Sequence, residues 1–377
     1  MKLEKLEKIT KKFLCFGLAY IFSFNILAKN QNITIKQISE FSLMGVDYKT
    51  YTNKDLNGLN GTLLVFLSNH CKFSQMFQQF LVHSNRKWNN QGIKLIAISP
   101  NHEKAVLPDE MAFSEVGDSF EEMVLRAQTQ NYNFAYIYDG KNQIITKSIE
   151  TKITPSAYLF DSQGELVYSG RIGDHEMPND YEKSELHQNI VKLINKEKVE
   201  YNRTKIHGTA IKFKKDIRFA EKLAKRYAEE TIRLNYADER KLNFFIEQET
   251  NYPRFFYVWS LENNPDVTRE NLIKISTVYK IFRKRGIKVF TVCICKPEDQ
   301  SKVLEILKQT QLSSLNFYTG GTEVSKLVTL RSQEGKRITP FCRIIQGDNS
   351  LAYGKNDLLD IKVLKREFLY TLNKKRK

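Results

Sequence analysis

One stretch of this chain, an apolar run that stops at a polar turn bearing a single cysteine, constrains the fold most. Leu63–Leu67 is apolar throughout, and the turn residues Ser68–Cys71 follow it directly. Beyond the turn, apolar side chains recur at helical spacing from Met76 to Leu81. A short apolar run bounded by a turn is typical of a buried strand. The pattern therefore predicts a strand, a turn and a helix, with Cys71 at the helix start.

The position of Cys71 is one at which reactive thiols are usually found. A helix start offers unpaired N–H groups and a positive dipole end, and both favour a thiolate. In a Cys-x-x-Cys centre the first cysteine attacks a partner and the second resolves the mixed disulfide. This chain has Ser68 at the first position. Because a serine hydroxyl forms no disulfide, dithiol exchange by this mechanism is excluded at the turn.

Length and charge limit the class of protein. A chain of 377 residues exceeds the roughly 250–300 residues that one hydrophobic core serves, so two domains are expected. The formal charge is +16, but the basic residues are scattered and no nucleic-acid motif accompanies them. We therefore expect a basic solvated surface and no nucleic-acid partner, while no pattern specifies the oligomeric state.

The N-terminus has the pattern of a secretory signal. Several lysines within residues 1–12 precede the apolar run Phe13–Ala28, which ends in a small residue. Cleavage after Ala28 predicts an exported protein, periplasmic or extracellular. The alternative is an uncleaved segment that anchors the chain to a membrane, although the run is short for a span.

The cysteines and histidines indicate neither a disulfide scaffold nor a metal centre. Cys293 and Cys295 alternate along one predicted strand, which favours a role as small buried side chains. The spacing of His70 and the other histidines matches no zinc motif. We therefore expect no metal and no cofactor. Either Asp118 or Ser119 is expected to be the N-cap of the predicted helix that follows, and Asp118 is interpreted as a helix-capping charge.

Strands and helices alternate from Thr62 to Asn195, with a hairpin near the end, which predicts an α/β sheet of mixed strand directions. The motifs in this region resemble those of the thioredoxin superfamily, and within it the exported, peroxiredoxin-like redoxins of the AhpC/TSA type. They span about residues 40–215 and are Asn69–Cys71, Pro100–Asn101, Tyr136–Asp139, Thr154–Pro155, Gly170–Ile172 and Gly208–Lys212. The resemblance implies that Pro155 is a cis-proline whose backbone faces the thiol turn, where a substrate strand pairs.

This sequence departs from the family pattern at three positions. Ser68 replaces the attacking cysteine, Lys72 replaces the following proline, and Thr209 replaces a late cysteine. The resemblance therefore implies an oxidoreductase fold with an incomplete centre.

The second half repeats motifs of the first. Lys152–Pro155 recurs as Arg337–Pro340 and Leu166–Tyr168 recurs as Leu351–Tyr353, both at the same offset along the chain. This offset is close to half the chain length and predicts a duplicated domain, since solenoid units recur every 20–50 residues or so. The apolar run Phe255–Ser260 ends in a turn without cysteine, so the second domain is expected to lack a redox centre.

We thus predict an α/β protein of two tandem thioredoxin-like domains, each a central mixed sheet flanked by helices, joined by a helical linker. The predicted boundaries are 1–28 for the signal, 29–215 for the redoxin domain, 216–250 for the linker and 251–377 for the second domain. Apolar residues at helical spacing in the linker are expected to pack on the protein's own domains rather than on a partner.

Three interpretations of Cys71 remain open. It is an inert packing side chain, a monothiol that forms mixed disulfides beside His70, or a peroxidatic cysteine. The peroxidatic interpretation depends on Ser68, because peroxiredoxins have a hydroxyl residue three positions before their cysteine. Leu64, however, stands where peroxiredoxins have proline, and Pro155 where they have arginine.

Two functions follow from these interpretations. In one, the protein is a non-catalytic module that holds extended polypeptide by backbone pairing at Thr154 and Pro155 and at Thr339 and Pro340. In the other, it is a thiol oxidoreductase or peroxidase that acts on thiol partners or peroxide through Cys71, with Ser68 and His70.

Overall fold

The computed structural model describes residues 33–176, 180–321, 339–356 and 358–374. The chain divides into two compact units. The N-terminal unit extends to Lys214, except for Lys104–Gly117, which belongs to the C-terminal unit together with everything from Lys215 onward. Each unit contains a mixed sheet flanked by helices, so the predicted fold class of two thioredoxin-like domains is confirmed.

The N-terminal unit follows the predicted alternation of strands and helices. Its elements in chain order are β1 Ser42–Met44, β2 Thr50–Thr52, β3 Gly61–Phe66, α1 Lys72–Asn90, β4 Ile93–Ser99, α2 Phe120–Thr129, β5 Ala135–Tyr138, α3 Ile144–Ile149, β6 Ile153–Thr154, β7 Ser156–Asp161, β8 Leu166–Gly170, α4 Glu185–Ile194, β9 Asn202–Arg203 and β10 Thr209–Ala210.

The central sheet of this unit has the strand order β5-β4-β3-β7-β8-β9. β3 is parallel to β4 and antiparallel to β7, and all six of its residues are buried. Its side chains alternate between two hydrophobic clusters, with Leu63 and Val65 in one and Leu64 and Phe66 in the other. This two-sided burial explains why β3 is an unbroken apolar run rather than an alternating one.

The C-terminal unit is built from a comparable series. Its elements are α5 Ile217–Ala228, β11 Leu234–Tyr236, α6 Glu239–Glu247, β12 Arg254–Ser260, α7 Pro265–Phe282, β13 Lys288–Ile294, α8 Gln300–Gln309, β14 Leu315–Tyr318, β15 Phe341–Ile345, β16 Leu351–Asn356 and α9 Ile361–Lys374.

The segment predicted to be a helical linker also contains a strand, which was not predicted. α5 and α6 are helices as expected, but β11 between them pairs in parallel with β14 at the edge of the C-terminal sheet. Three residues are too few for a periodic pattern to identify a strand, and only pairing with β14 defines this one.

The two sheets share one topology. The order β5-β4-β3-β7-β8 in the first corresponds to β14-β13-β12-β15-β16 in the second, with parallel neighbours on one side and an antiparallel hairpin on the other. Both hairpins carry a register irregularity at the same step, between Leu159 and Phe160 and between Ile344 and Ile345. The constant offset seen in the sequence therefore also relates paired positions in the structure.

In the described ranges, no helix is both long enough and apolar enough to cross a membrane. The predicted signal, residues 1–28, lies outside the described residues.

Candidate functional site

The predicted strand, turn and helix are present, and the turn is closed to solvent. α1 begins at Lys72 with Cys71 as its N-cap residue. The exposed fraction is 2% for Ser68, 3% for Asn69, 1% for His70 and 0% for Cys71. The strand β3 brings these residues to the carboxyl edge of the sheet, where thioredoxin-like proteins carry out their chemistry, but no side chain of the turn reaches the surface.

The thiol of Cys71 faces the backbone of the Thr-Pro segment. Its Sγ donates a hydrogen bond to the carbonyl oxygen of Thr154 at 3.2 Å. Every cysteine in the described residues is free and buried, including Cys293, Cys295 and Cys342.

A chain of hydroxyl groups lies beside this thiol. The Ser68 Oγ is 3.1 Å from the Thr154 Oγ1, which is 3.3 Å from the Thr209 Oγ1. Ser68 and Thr209 stand at the two positions where the redoxins that this sequence resembles have cysteine. The structure therefore brings together the positions of the missing sulfurs, and hydrogen-bonded oxygens occupy them.

The backbone edge before Pro155 is occupied by the chain itself. β10 pairs antiparallel with β6, with Thr209 opposite Thr154, and the Ile211 N–H donates to the Lys152 carbonyl at 2.9 Å. At Gly208 an added Cβ would lie 2.0 Å from the Thr154 oxygen, so only glycine permits this approach. The peptide bond before Pro155 is cis, as the resemblance implied.

His70 is held by a buried carboxylate. Its Nδ1 lies 2.6 Å from Asp118 Oδ2, and both side chains are fully buried. Asp118 also accepts hydrogen bonds from the Asn69 N–H at 2.6 Å and from the Asn101 Nδ2 at 2.9 Å. The Asn101 Oδ1 in turn accepts from the Lys212 N–H at 2.7 Å, which connects the turn to the segment that follows β10.

Of the two predicted N-cap candidates, Ser119 is confirmed, and the interpretation of Asp118 as a capping charge is wrong. Ser119 caps α2, since its side chain accepts from the Glu122 N–H, while Asp118 points into the protein. A sequence cannot distinguish the two roles here, because an acidic residue next to a helix start is usually a cap or a dipole partner. Its partners His70 and Asn69 lie almost fifty positions away and are known only from the fold.

The C-terminal unit has the same arrangement without sulfur. The Asn263 Nδ2 donates to the Thr339 carbonyl at 2.8 Å and to its Oγ1 at 2.9 Å, and the Ser260 Oγ is 3.4 Å from that Oγ1. The bond before Pro340 is also cis. Ser260 and Asn263 have the spacing of Ser68 and Cys71, and this shared spacing is the feature of the sequence that marks the second site. An amide here occupies the place of the thiol.

The other cysteines among the described residues are buried in the C-terminal unit. Burial raises the pKa of Cys293 well above the usual value for a thiol, and burial also raises the pKa of Cys342 to about 12. In the part of the chain that the structure describes, no cluster of three or more histidine, cysteine and acidic side chains is arranged to hold a metal ion.

A thioredoxin-type sheet with a Ser-x-x-Cys turn against a Thr-cis-Pro segment defines a protein of the redoxin class. The model of the AhpC/TSA family matches residues 35–169. This region of the chain is therefore similar to the redoxins of the AhpC/TSA family, in the thioredoxin superfamily.

Many solved structures are similar to this chain, and three of them illustrate the range of similarity. An uncharacterized conserved protein from Geobacillus kaustophilus is 26% identical, covering 49% of this chain and 94% of its own, with a TM-score of 0.42. A hypothetical protein from Sinorhizobium meliloti is 21% identical, covering 48% and 94%, with a TM-score of 0.41. A secreted Mycobacterium tuberculosis disulfide oxidoreductase is 14% identical, covering 35% and 82%, with a TM-score of 0.28. No curated protein matches the chain.

Proposed function

We propose that this chain is an exported redoxin-fold protein that has lost dithiol exchange and serves as a polypeptide-binding module. The observation that carries the loss of exchange is the thiol of Cys71, which is fully buried and donates to the Thr154 carbonyl. Hydroxyl groups of Ser68 and Thr209 stand beside it in place of partner sulfurs. In this proposal the second half is a duplicated domain in which the amide of Asn263 stands in place of the thiol.

The alternative activities need access that this turn does not provide. A mixed disulfide forms when a thiolate approaches a partner sulfur in line, which requires an exposed Sγ. A peroxidatic cysteine needs a hydroxyl directed at peroxide, but the Ser68 hydroxyl is engaged with Thr154. The inert interpretation of Cys71 therefore has the strongest support, and a thiol-dependent oxidoreductase or peroxidase remains the second candidate because of the family match.

Polypeptide binding by backbone pairing is supported by what the N-terminal unit already binds. Its Thr154 edge holds an extended segment, β10, in antiparallel register. This internal pairing supports the proposal that the edge before the cis-proline binds an extended strand. An external strand at Thr154 and Pro155 has to displace β10, so we assign binding of partners first to the C-terminal unit, where Thr339 and Pro340 are the corresponding residues.

The loss of exchange is tested on the full chain with dithiothreitol-driven insulin reduction, peroxide consumption and iodoacetamide alkylation of Cys71 followed by peptide mass spectrometry. We expect no turnover above background, and alkylation at least 100-fold slower in the native than in the urea-unfolded protein. Cys71→Ala is the control. Turnover that disappears in Cys71→Ala would establish the oxidoreductase alternative instead.

Polypeptide binding is tested with fluorescein-labelled, reduced and carboxymethylated α-lactalbumin, a permanently unfolded protein without free thiols. We expect saturable binding in fluorescence anisotropy that Cys71→Ala leaves unchanged, that Pro340→Ala weakens at least fivefold and that Pro155→Ala changes less than twofold. Absence of binding to this probe and to a basic unfolded counterpart contradicts the proposed function.

A further inference from the structure

The two units differ at the outer edge of the sheet. In the N-terminal unit the outer edge of β8 is covered by β9, which runs parallel to it with Asn202 opposite Tyr168 and Arg203 opposite Ser169. In the C-terminal unit β16 pairs with β15 on one side, and no strand of the described residues pairs with its other side. Leu351 is 41% exposed, and Gly354, Lys355 and Asn356 are exposed as well.

The covered edge identifies which backbone groups receive a strand. The Thr204 N–H donates to the Ser169 carbonyl at 3.0 Å, and the Arg171 N–H donates to the Thr204 Oγ1 at 3.0 Å. Ser169 and Arg171 therefore present backbone groups away from β7. At the offset that the two hairpin registers share, these positions correspond to Gly354 and Asn356. The Gly354 carbonyl and the Asn356 N–H are accordingly the groups directed outward from β16.

The composition of β16 suits a close backbone partner. Gly354 has no side chain in the middle of the edge, where an added Cβ would lie 3.1 Å from the Arg343 side chain, and glycine within a strand often marks a place where a neighbouring group approaches closely. Lys355 is the one charged residue of the strand, and the chain as a whole has a formal charge of +16. An acidic partner is thus complementary in charge to this edge.

We infer that the outer edge of β16 binds an extended acidic segment of another polypeptide as an added parallel strand, in the way that β9 lies on β8. The inference rests on the proposed polypeptide-binding function and gives it a second site, distinct from Thr339 and Pro340. Main-chain hydrogen bonds to Gly354 and Asn356 supply the pairing, and Lys355 selects acidic side chains.

The test uses the full chain and a fluorescein-labelled octapeptide of alternating glutamate and valine, with an alternating lysine and valine peptide as the charge control. Asn356→Pro removes the outward N–H, whereas the matched variant Asn356→Ala retains it. We expect Asn356→Pro to weaken binding of the acidic peptide at least tenfold and Asn356→Ala to change it less than twofold. The lysine peptide should bind at least tenfold more weakly than the acidic one.

Hydrogen exchange on the unaltered protein keeps the test independent of how well Asn356→Pro folds. Saturating acidic peptide should slow exchange of the Asn356 amide at least tenfold. This site is overturned if Asn356→Pro binds the acidic peptide as well as the unaltered protein does, or if the peptide does not slow exchange of the Asn356 amide. In that case the proposed function still stands, provided that Pro340→Ala weakens binding of the unfolded probe. A dimer in sedimentation with this amide already protected assigns the edge to a second copy and also overturns the inference. If no polypeptide probe binds, both proposals fail.

Discussion

At the scale of single residues, the exchange of sulfur for oxygen determines what the turn can do. Ser68 and Cys71 both contact Thr154, one through its hydroxyl and the other through its carbonyl. Their spacing along the chain is that of the two cysteines in a Cys-x-x-Cys centre. We infer that the scaffold of a Cys-x-x-Cys centre is retained here, with oxygen in place of one sulfur.

Ser68→Cys is expected to form a disulfide with Cys71 when the protein is oxidised with diamide. The measurement is the loss of two hydrogen masses from the peptide that contains both residues, in mass spectrometry without reduction. Ser68→Ala should form no such bond. If the Ser68→Cys protein keeps two free thiols at this turn after oxidation, the inferred retention of the scaffold is wrong.

The structure of the turn also depends on the buried carboxylate of Asp118. It accepts hydrogen bonds from the Asn69 N–H and from Asn101, and it lies 2.6 Å from the His70 Nδ1. Asp118→Asn replaces one acceptor by a donor in a buried network, so we expect the free energy of unfolding to fall by about 3 kcal/mol. Urea denaturation at pH 7 measures this change. Glu121→Gln, at an exposed position of α2, should stay within about 0.5 kcal/mol of the wild type.

At the scale of secondary-structure elements, side-chain contacts between helices and strands contribute more to the stability of the fold than helix propensity does. Glu230, just after α5, lies 2.8 Å from Arg283 Nη1 at the end of α7 and accepts a hydrogen bond from Ser313 before β14. Partial burial raises the pKa of Glu230, but the hydrogen bonds from Arg283 and Ser313 outweigh that effect and lower it overall. The carboxylate thus joins three segments of the C-terminal unit in its charged form.

Because the folded-state pKa of Glu230 lies below its unfolded value of about 4.5, its contribution is present above that pH and is lost as the pH falls through the folded pKa. Glu230→Gln is expected to cost about 1 kcal/mol at pH 7 and progressively less below pH 4.5. Denaturant titrations of both proteins between pH 3 and pH 7 give the difference. A difference that stays constant with pH would contradict the role of the charge.

At the scale of the whole molecule, the units are not continuous stretches of sequence. The core of the C-terminal unit includes Ala112 from the segment Lys104–Gly117, and Lys365 donates to the Met111 and Ser114 carbonyls. A second cluster of that unit includes Ala237, Leu242 and Ile246 from the segment predicted as linker. A boundary at residue 251 therefore separates packed residues from their own core.

A fragment of residues 251–377 is expected to lack cooperative unfolding, because it loses β11, α6 and the apolar side chains they bury. A fragment of residues 215–377 retains these elements and should show more native circular dichroism and a measurable urea transition. Equal cooperative transitions for the two fragments would mean that β11 and α6 contribute little to the fold of this unit.

Much of the fold could be predicted because local residue patterns indicate its elements. The apolar run of β3, the helix after it, the hairpin of β7 and β8 and the recurrence of that hairpin in the second half all depend on patterns within a few residues. The cis-proline at Pro155 was predicted through the resemblance. β11 and the assignment of Lys104–Gly117 to the C-terminal unit were not predicted, since both depend on pairing or packing between segments far apart in the chain.

What the sequence by itself determined is the loss of the sulfur pair, because the identity of Ser68 and Thr209 is sufficient to exclude it. Only the tertiary structure decided how the turn is closed. Asp118 meets His70, β10 covers the Thr154 edge and Asn263 takes the place of a thiol through contacts between residues that are distant in sequence. Such contacts follow from how the sheet orders its strands, and side-chain periodicity along one segment contains no record of that order.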